Sequence, residues 1–307
     1  MARLLWQQLP AQVRDAAEAA FGSAVVDEVS QSGGFSPGLA SRLRLADGRR
    51  VFAKAISPDR DPLAPDLFRR EARVMAAMPA TVPAPGLLWT YDDGDWVMLV
   101  LEDVDGHMPH EPWQPDELQH VMTALADLAE YATPSPLPVP SVVDDLADNF
   151  GAWRALSAQP EEWPRLDPWA RDHLDLLVDL EHGWGDAAKG DTLVHADLRA
   201  DNLIVTADRV VVIDWPYAVA GAPWLDALFF LPSVAESSPG LDPQAVWESY
   251  GPARAADPGA VDAVLAALAG DWVRQSLRPA PPNLPTLRAH QAAKGAATLA
   301  WLRSRLG

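Results

Sequence analysis

The chain has 307 residues, 49% of them apolar and 22% charged, enough to bury a sizeable core as one large domain or two lobes. Its net charge of -19, from 43 Asp plus Glu against 24 Lys plus Arg, argues against a nucleic-acid partner, because neutralising phosphates needs clustered cations. Zero cysteines exclude disulfides, thiolate metal sites and cysteine nucleophiles. No apolar run is long enough to span a membrane, and the opening MARLLWQQLPAQVRD lacks the pattern of a secretory signal, so the expected location is the cytoplasm.

In chain order, WQQLPAQVRDAAEAAFG has helical spacing, and AVVDEVS, ASRLRLA and RVFAKAI read as strands. The Asp47-Gly48 pair joins the second and third strands as a hairpin. Arg69 to Met78 fits an amphipathic helix, and LLWTY and DWVMLVLED are two more strands around a DDGD turn. From Pro115 the character becomes helical, which sets a boundary near residues 104–112. A Pro-rich connector, residues 133–141, leads to DDLADNFGAWRAL and DPWARDHLDLLVDLEHGW. Helices beginning at Pro243, Pro258 and Leu287 complete this part. The expected organisation is an N-terminal lobe, 1–105, and a helical C-terminal lobe, 106–307.

The chemistry concentrates in HADLRADNLIVTADRVVVIDW, His195 to Trp215. Four residues separate Asp197 from Asn202, and Asp214 follows Asn202 by twelve, after the apolar runs LIV and VVVI. The pattern is a loop, a hairpin and a carboxylate. Phosphoryl transfer needs a carboxylate to orient the attacking hydroxyl and take its proton, and hard oxygen ligands to hold Mg²⁺ against the phosphates. Asp197 suits the first role, Asn202 and Asp214 the second, and His195 would brace the loop structurally.

This segment resembles the aminoglycoside phosphotransferase family, small-molecule kinases with an HxDxxxxN loop and an I-D-W or I-D-F metal motif. The resemblance implies an α+β, two-lobed protein-kinase-like fold, with a small antiparallel sheet and one helix in the first lobe. It also implies ATP, or GTP, as donor and Mg²⁺ as cofactor. By position, Asp197 is the base, Asn202 and Asp214 are metal ligands, and Asp226, in GAPWLDALFF, is the helix-start aspartate that braces the loop.

Upstream residues agree with this order. Lys54 ends the third strand, where kinases carry their phosphate-pairing lysine, and Glu71 lies 17 residues later on the following helix, placed to pair with it. The Gly-rich stretch Ser32 to Gly38, with Gly33 and Gly34, falls between the first two strands, where backbone N–H groups can close over phosphates. The backbone from Leu101 to Asp103 is expected to meet the purine edge.

Only eleven residues separate Asp214 from Asp226 and no A-P-E motif follows, so a protein substrate lacks its platform. The expected acceptor is a small molecule, an antibiotic or another natural product, with no protein partner evident. Asp144, Asp145, Asp148, Glu248 and Asp271 are its acidic candidates, and most of the 13 tryptophans are assigned to packing. The alternative is a catalytically silent nucleotide-binding protein on the same fold.

Overall fold

The computed structural model describes residues 3–31, 33, 37–281 and 284–307, and its contacts divide the chain into two compact units. The first comprises Met1–Pro109 with Ala200–Tyr217, the second His110–Arg199 with Ala218–Gly307. The segment from Ala200 to Tyr217 therefore groups with the N-terminal part, although the sequence reading placed it in the C-terminal lobe.

In the first unit, α1 (Ala11–Phe21) precedes strands β1 (Val25–Ser30), β2 (Leu39–Leu45) and β3 (Arg50–Ile56). Then come α2 (Ala64–Ala77), β4 (Leu87–Asp92) and β5 (Val97–Glu102). The five strands form one sheet in the order β1-β2-β3-β5-β4, every neighbouring pair antiparallel. The expected long first helix is in fact a short turn, Trp6–Gln8, followed by α1. Leu9 precedes Pro10 and is extended, at φ -67° and ψ 150°, because the proline ring crowds a helical residue before it. The next helix starts earlier than expected, at Ala64, where Pro65 fits a first turn that has no intrahelical N–H bond to lose.

Strand alternation sorts β3 onto two faces. Val51, Ala53 and Ala55 join Leu39, Leu43, Leu45, Trp6 and Val13 in one apolar cluster. Ile56 packs on the other face with Phe68, Val97 and Leu99. Lys54 shares the parity of Ile56 and so belongs to that second face.

In the second unit the chain runs through α3 (Pro115–Tyr131), α4 (Val142–Leu146), α5 (Ala152–Ser157), α6 (Pro168–Asp172), α7 (Leu174–His182), α8 (Trp184–Ala187) and β6 (Thr192–Val194). Strands β7 (Leu203–Val205) and β8 (Val210–Val212) make a hairpin in the first unit, bound to His107 through two backbone hydrogen bonds with Val205. The second unit resumes with β9 (Val219–Gly221), paired with β6, then α9 (Leu225–Ser237), α10 (Pro243–Ser249), α11 (Pro258–Ser276) and α12 (Leu287–Leu306). Helix α11 is its centre: Val264, Leu265, Ala266, Ala267 and Ala269 are buried, and α5, α7, α8 and α12 pack around it. Trp153, Trp184 and Trp301 are core residues here, as expected of large aromatics, and the Trp153 indole N–H donates to the Ala266 carbonyl at 2.7 Å.

Candidate active site

In the first unit, three of the expected residues meet around one ammonium group. Lys54 lies in β3, and its Nζ donates to Asp214 Oδ1 at 2.8 Å and pairs directly with Glu71 Oε2 of α2. Phe68, one helical turn before Glu71, lies under the ammonium, 5.2 Å from Nζ to the ring centre. Burial draws the Lys54 pKa down, but the two carboxylates outweigh it and the net shift is upward, so the lysine is charged. Burial likewise raises Glu71, only partly offset by Lys54, and the backbone N–H of Trp215 also bonds to its carboxylate. Glu71 thus fixes both Lys54 and the backbone beside Asp214.

The β7–β8 hairpin brings Asn202 and Asp214 together by register. Leu203 pairs with Val212, and the Ile213 N–H donates to the Asn202 carbonyl at 3.0 Å, which leaves Asp214 just beyond the open end of the hairpin, opposite its turn. Asn202 is buried, whereas the Asp214 side chain is 44% exposed and accessible to a ligand. Trp215, fully buried, anchors the turn with its indole N–H on the Val212 carbonyl at 2.9 Å.

In the second unit, Asp226 opens α9 and accepts two backbone N–H bonds, from His195 at 2.9 Å and Ala196 at 2.9 Å. Burial raises its pKa, and the His195 side and both N–H donors offset part of that rise. The Asp197 N–H donates to His195 Nδ1 at 3.2 Å, so this ring nitrogen acts as an acceptor and the fully buried His195 has a bracing role. Asp197 itself is partly exposed.

Ala196 in the second unit and Asp214 in the first each adopt a left-handed backbone that sequence reasoning missed. Ala196 has φ 64° and Asp214 has φ 65°. Aspartate tolerates this region, but alanine gains nothing there, and such strain persists only where surrounding bonds enforce it. At Ala196 the enforcing bond is the one to Asp226.

The remaining expectations fall as follows. Gly33 approaches Met108 and Asp201, where an added Cβ would meet them at 3.5 and 3.8 Å; Gly34 lies outside the described residues. Leu101 lies near the end of β5, paired with Phe52 on one side and Leu87 on the other. The Asp103 side chain is 2% exposed and bridges Arg42 Nε at 3.2 Å and Arg50 Nε at 3.1 Å, tying β2 and β3 to the end of β5. Among the acidic acceptor candidates, Asp144 is engaged with Ser141 at the start of α4, and Glu248 accepts from Gln244. Asp271 is held by Asn149 and Gln275, and burial raises its pKa.

Residues 33–279 match the family profile of the phosphotransferase enzyme family. The chain belongs to that family. Its fold matches aminoglycoside phosphotransferase APH(4)-Ia, solved as a thermostable mutant in ternary complex with ADP and hygromycin B, at TM-score 0.62 and 17% identity, covering 97% of this chain and 100% of that one. It also matches APH(2")-IIia with GDP and kanamycin, at TM-score 0.59 and 15% identity over 96% and 98% of the two chains. Spectinomycin phosphotransferase APH(9)-Ia, with ADP and spectinomycin, matches at TM-score 0.56 and 12% identity over 97% and 95%. The search of curated proteins found no match. Among the described residues no helix is long and apolar enough to cross a membrane.

Proposed function

We propose that this phosphotransferase-family chain moves the γ-phosphoryl group of ATP, or GTP, to a hydroxyl of a small molecule. The observation that carries the reading is the Lys54 ammonium held between Glu71 and Asp214, with Asn202 set beside Asp214 by the hairpin register. A lysine fixed by two carboxylates is oriented without needing substrate, which suits a group that must meet phosphate oxygens with little reorganisation.

In this reading Lys54 binds donor phosphate oxygens, and the backbone at Gly33 contributes N–H groups to them. Backbone groups at the end of β5, from Leu101 to Asp103, hold the purine. Asn202 and Asp214 supply hard oxygen donors of the kind Mg²⁺ takes, and Asp214 is exposed enough to offer them. When bound there, the ion offsets phosphate charge. Asp197 accepts the proton of the attacking hydroxyl as the new O–P bond forms. The bond from the γ-phosphorus to the β,γ-bridging oxygen breaks, and the nucleoside diphosphate leaves with that oxygen. His195 and Asp226 hold the loop that presents Asp197.

The short passage from Asp214 to Asp226, which includes β9, leaves little chain for a peptide platform and favours a small acceptor. Structures sharing the fold were solved with hygromycin B, kanamycin or spectinomycin bound. An antibiotic or a related natural product is the acceptor class we propose. The test is nucleotide turnover with Mg-ATP and Mg-GTP against aminoglycosides, macrolides, nucleosides and amino sugars, with Asp197→Ala as control. Acceptor-stimulated turnover that Asp197→Ala abolishes is the expected result. Turnover retained in that variant would refute the assigned base, and nucleotide binding without turnover for any acceptor would favour a silent binder.

A further inference from the structure

The segment ahead of α1 is built into the sheet where the pairing of β1 with β2 ends. Strand β1 pairs with β2 as far as Ser30 and Ser41, and the Gln31 N–H reaches the Ala40 carbonyl. Just beyond, Leu4 takes over that edge position: it forms a parallel bridge with Leu39, its N–H donating to the Gly38 carbonyl at 3.2 Å.

Two further anchors fix the segment. The Trp6 N–H donates to Glu28 of β1, at 2.9 and 3.0 Å to its two oxygens, and the Ser41 hydroxyl of β2 donates to the same carboxylate at 2.6 Å. Leu4 and Trp6 are buried in the cluster that contains Leu39, Ala53 and Ala55, whereas Leu5 is 47% exposed.

Alternation then decides where Arg3 belongs. Leu4 sits on the face of Leu39 and Ala55, so Arg3 falls on the opposite face, the one that carries Ala40 and its cross-strand partner Lys54. Arg3 is partly buried, although a guanidinium on an outer sheet edge would ordinarily extend into water. Burial draws its pKa down while the Asp214 carboxylate pulls it up, which agrees with a position near the Lys54–Asp214 pair.

We propose that Arg3 is a second cation of the nucleotide site, carried in by the anchored leading segment to bind donor phosphate oxygens alongside Lys54. This rests on the phosphotransferase reading and adds to it a residue outside the strands, the helix and the hairpin that carry the other assigned groups. A guanidinium suits the task, because its planar donors can take two phosphate oxygens at once, whereas Lys54 offers a point charge.

The test is calorimetric titration of the full chain with AMP-PNP, ADP and adenosine in Mg²⁺, comparing Arg3→Ala, Arg3→Lys and, as reference, Lys54→Ala. Arg3→Ala is expected to weaken AMP-PNP by about tenfold, the worth of one charge-assisted hydrogen bond, to weaken ADP less and to leave adenosine unchanged. Arg3→Lys should recover part of the loss, and the melting temperature should stay at the wild-type value. Unchanged or tighter AMP-PNP binding in Arg3→Ala would overturn the inference, as would an equal loss for adenosine. If AMP-PNP binding is insensitive to Lys54→Ala, or absent from the wild type, the phosphotransferase reading falls as well.

Discussion

Replacing Asp226 with asparagine should separate the bracing of the loop from the binding of nucleotide. The carboxylate receives two backbone N–H bonds of 2.9 Å, from His195 and Ala196, in a buried setting. An asparagine side chain keeps one acceptor and turns its NH₂ toward the other N–H, so one buried donor goes unpaired and meets a second donor. The unpaired donor costs about 1–3 kcal/mol. Removing a charge that burial already disfavours returns part of this, as the upward direction of the Asp226 pKa shows. The net loss should be about 2 kcal/mol, or about 5 °C in the melting temperature of a unit of this size.

The larger effect should be on rate. Ala196 is held at φ 64° by one of these bonds and directly precedes Asp197, so its release lets Asp197, the proposed base, lose its orientation. A loss of about 100-fold in kcat is expected, of the size that small misplacements of reacting groups cause. Affinity for nucleotide, measured by titration, should stay close to the wild type, because Lys54, Glu71 and Asp214 belong to the other unit. A variant with wild-type kcat and melting temperature would show that the carboxylate does not hold the loop. A parallel loss of nucleotide affinity would show that the two effects are not separable.

Three further outcomes follow from the same geometry. Glu71→Gln removes one of the two carboxylates on Lys54 while keeping the side chain's size, and should lower nucleotide affinity about tenfold in a binding titration. Gly38→Ala would drive a Cβ into the Ala55 carbonyl oxygen and the Ile56 side chain, and should cost about 1–3 kcal/mol by denaturant unfolding. Asp271→Asn keeps an oxygen to accept from Asn149 and Gln275 but loses a carboxyl whose pKa burial raises above its ordinary 3.8. An acid with a raised folded-state pKa costs stability once pH exceeds its unfolded value, and the cost grows until pH passes the folded one. The variant should therefore melt above the wild type at pH 7, with the gap closing as pH falls toward 3.8; a gap that widened on acidification would reverse the sign of the argument.

The parts of the site that could be read from the sequence are those where polar side chains interrupt apolar strands. Lys54 stands out because it occupies a buried-parity position in RVFAKAI, and Asp214 because it ends VVVI; a charge in such a place is costly unless something answers it. Asn202 and Asp214 could be paired in advance because a short hairpin between two three-residue strands fixes its own register. Helix α9 was recognised only at its first aspartate, since LDALFFLPSVAES is apolar on nearly every face, contains Pro232 and gives no amphipathic stripe. The break after Gln8 was readable in principle from Pro10, but the helical spacing on both sides of it concealed the break.

What could not be read is conformation imposed from a distance. Nothing in the string HAD announces that its alanine is left-handed, because the cause is a carboxylate 30 residues later that binds both N–H groups and so selects the turn. The leading segment shows the same dependence. Glu28 reads as an ordinary exposed strand residue until the fold places the Trp6 N–H and the Ser41 hydroxyl on its carboxylate. These bonds put Leu4 on the sheet edge and thereby decide which face Arg3 takes. Local pattern therefore nominates the residues that carry charge, while long-range backbone bonds to carboxylates such as Asp226 and Glu28 determine the local backbone around them; the variants that discriminate between catalytic readings are those that cut such bonds and leave the charges of Lys54, Asp197 and Asp214 in place.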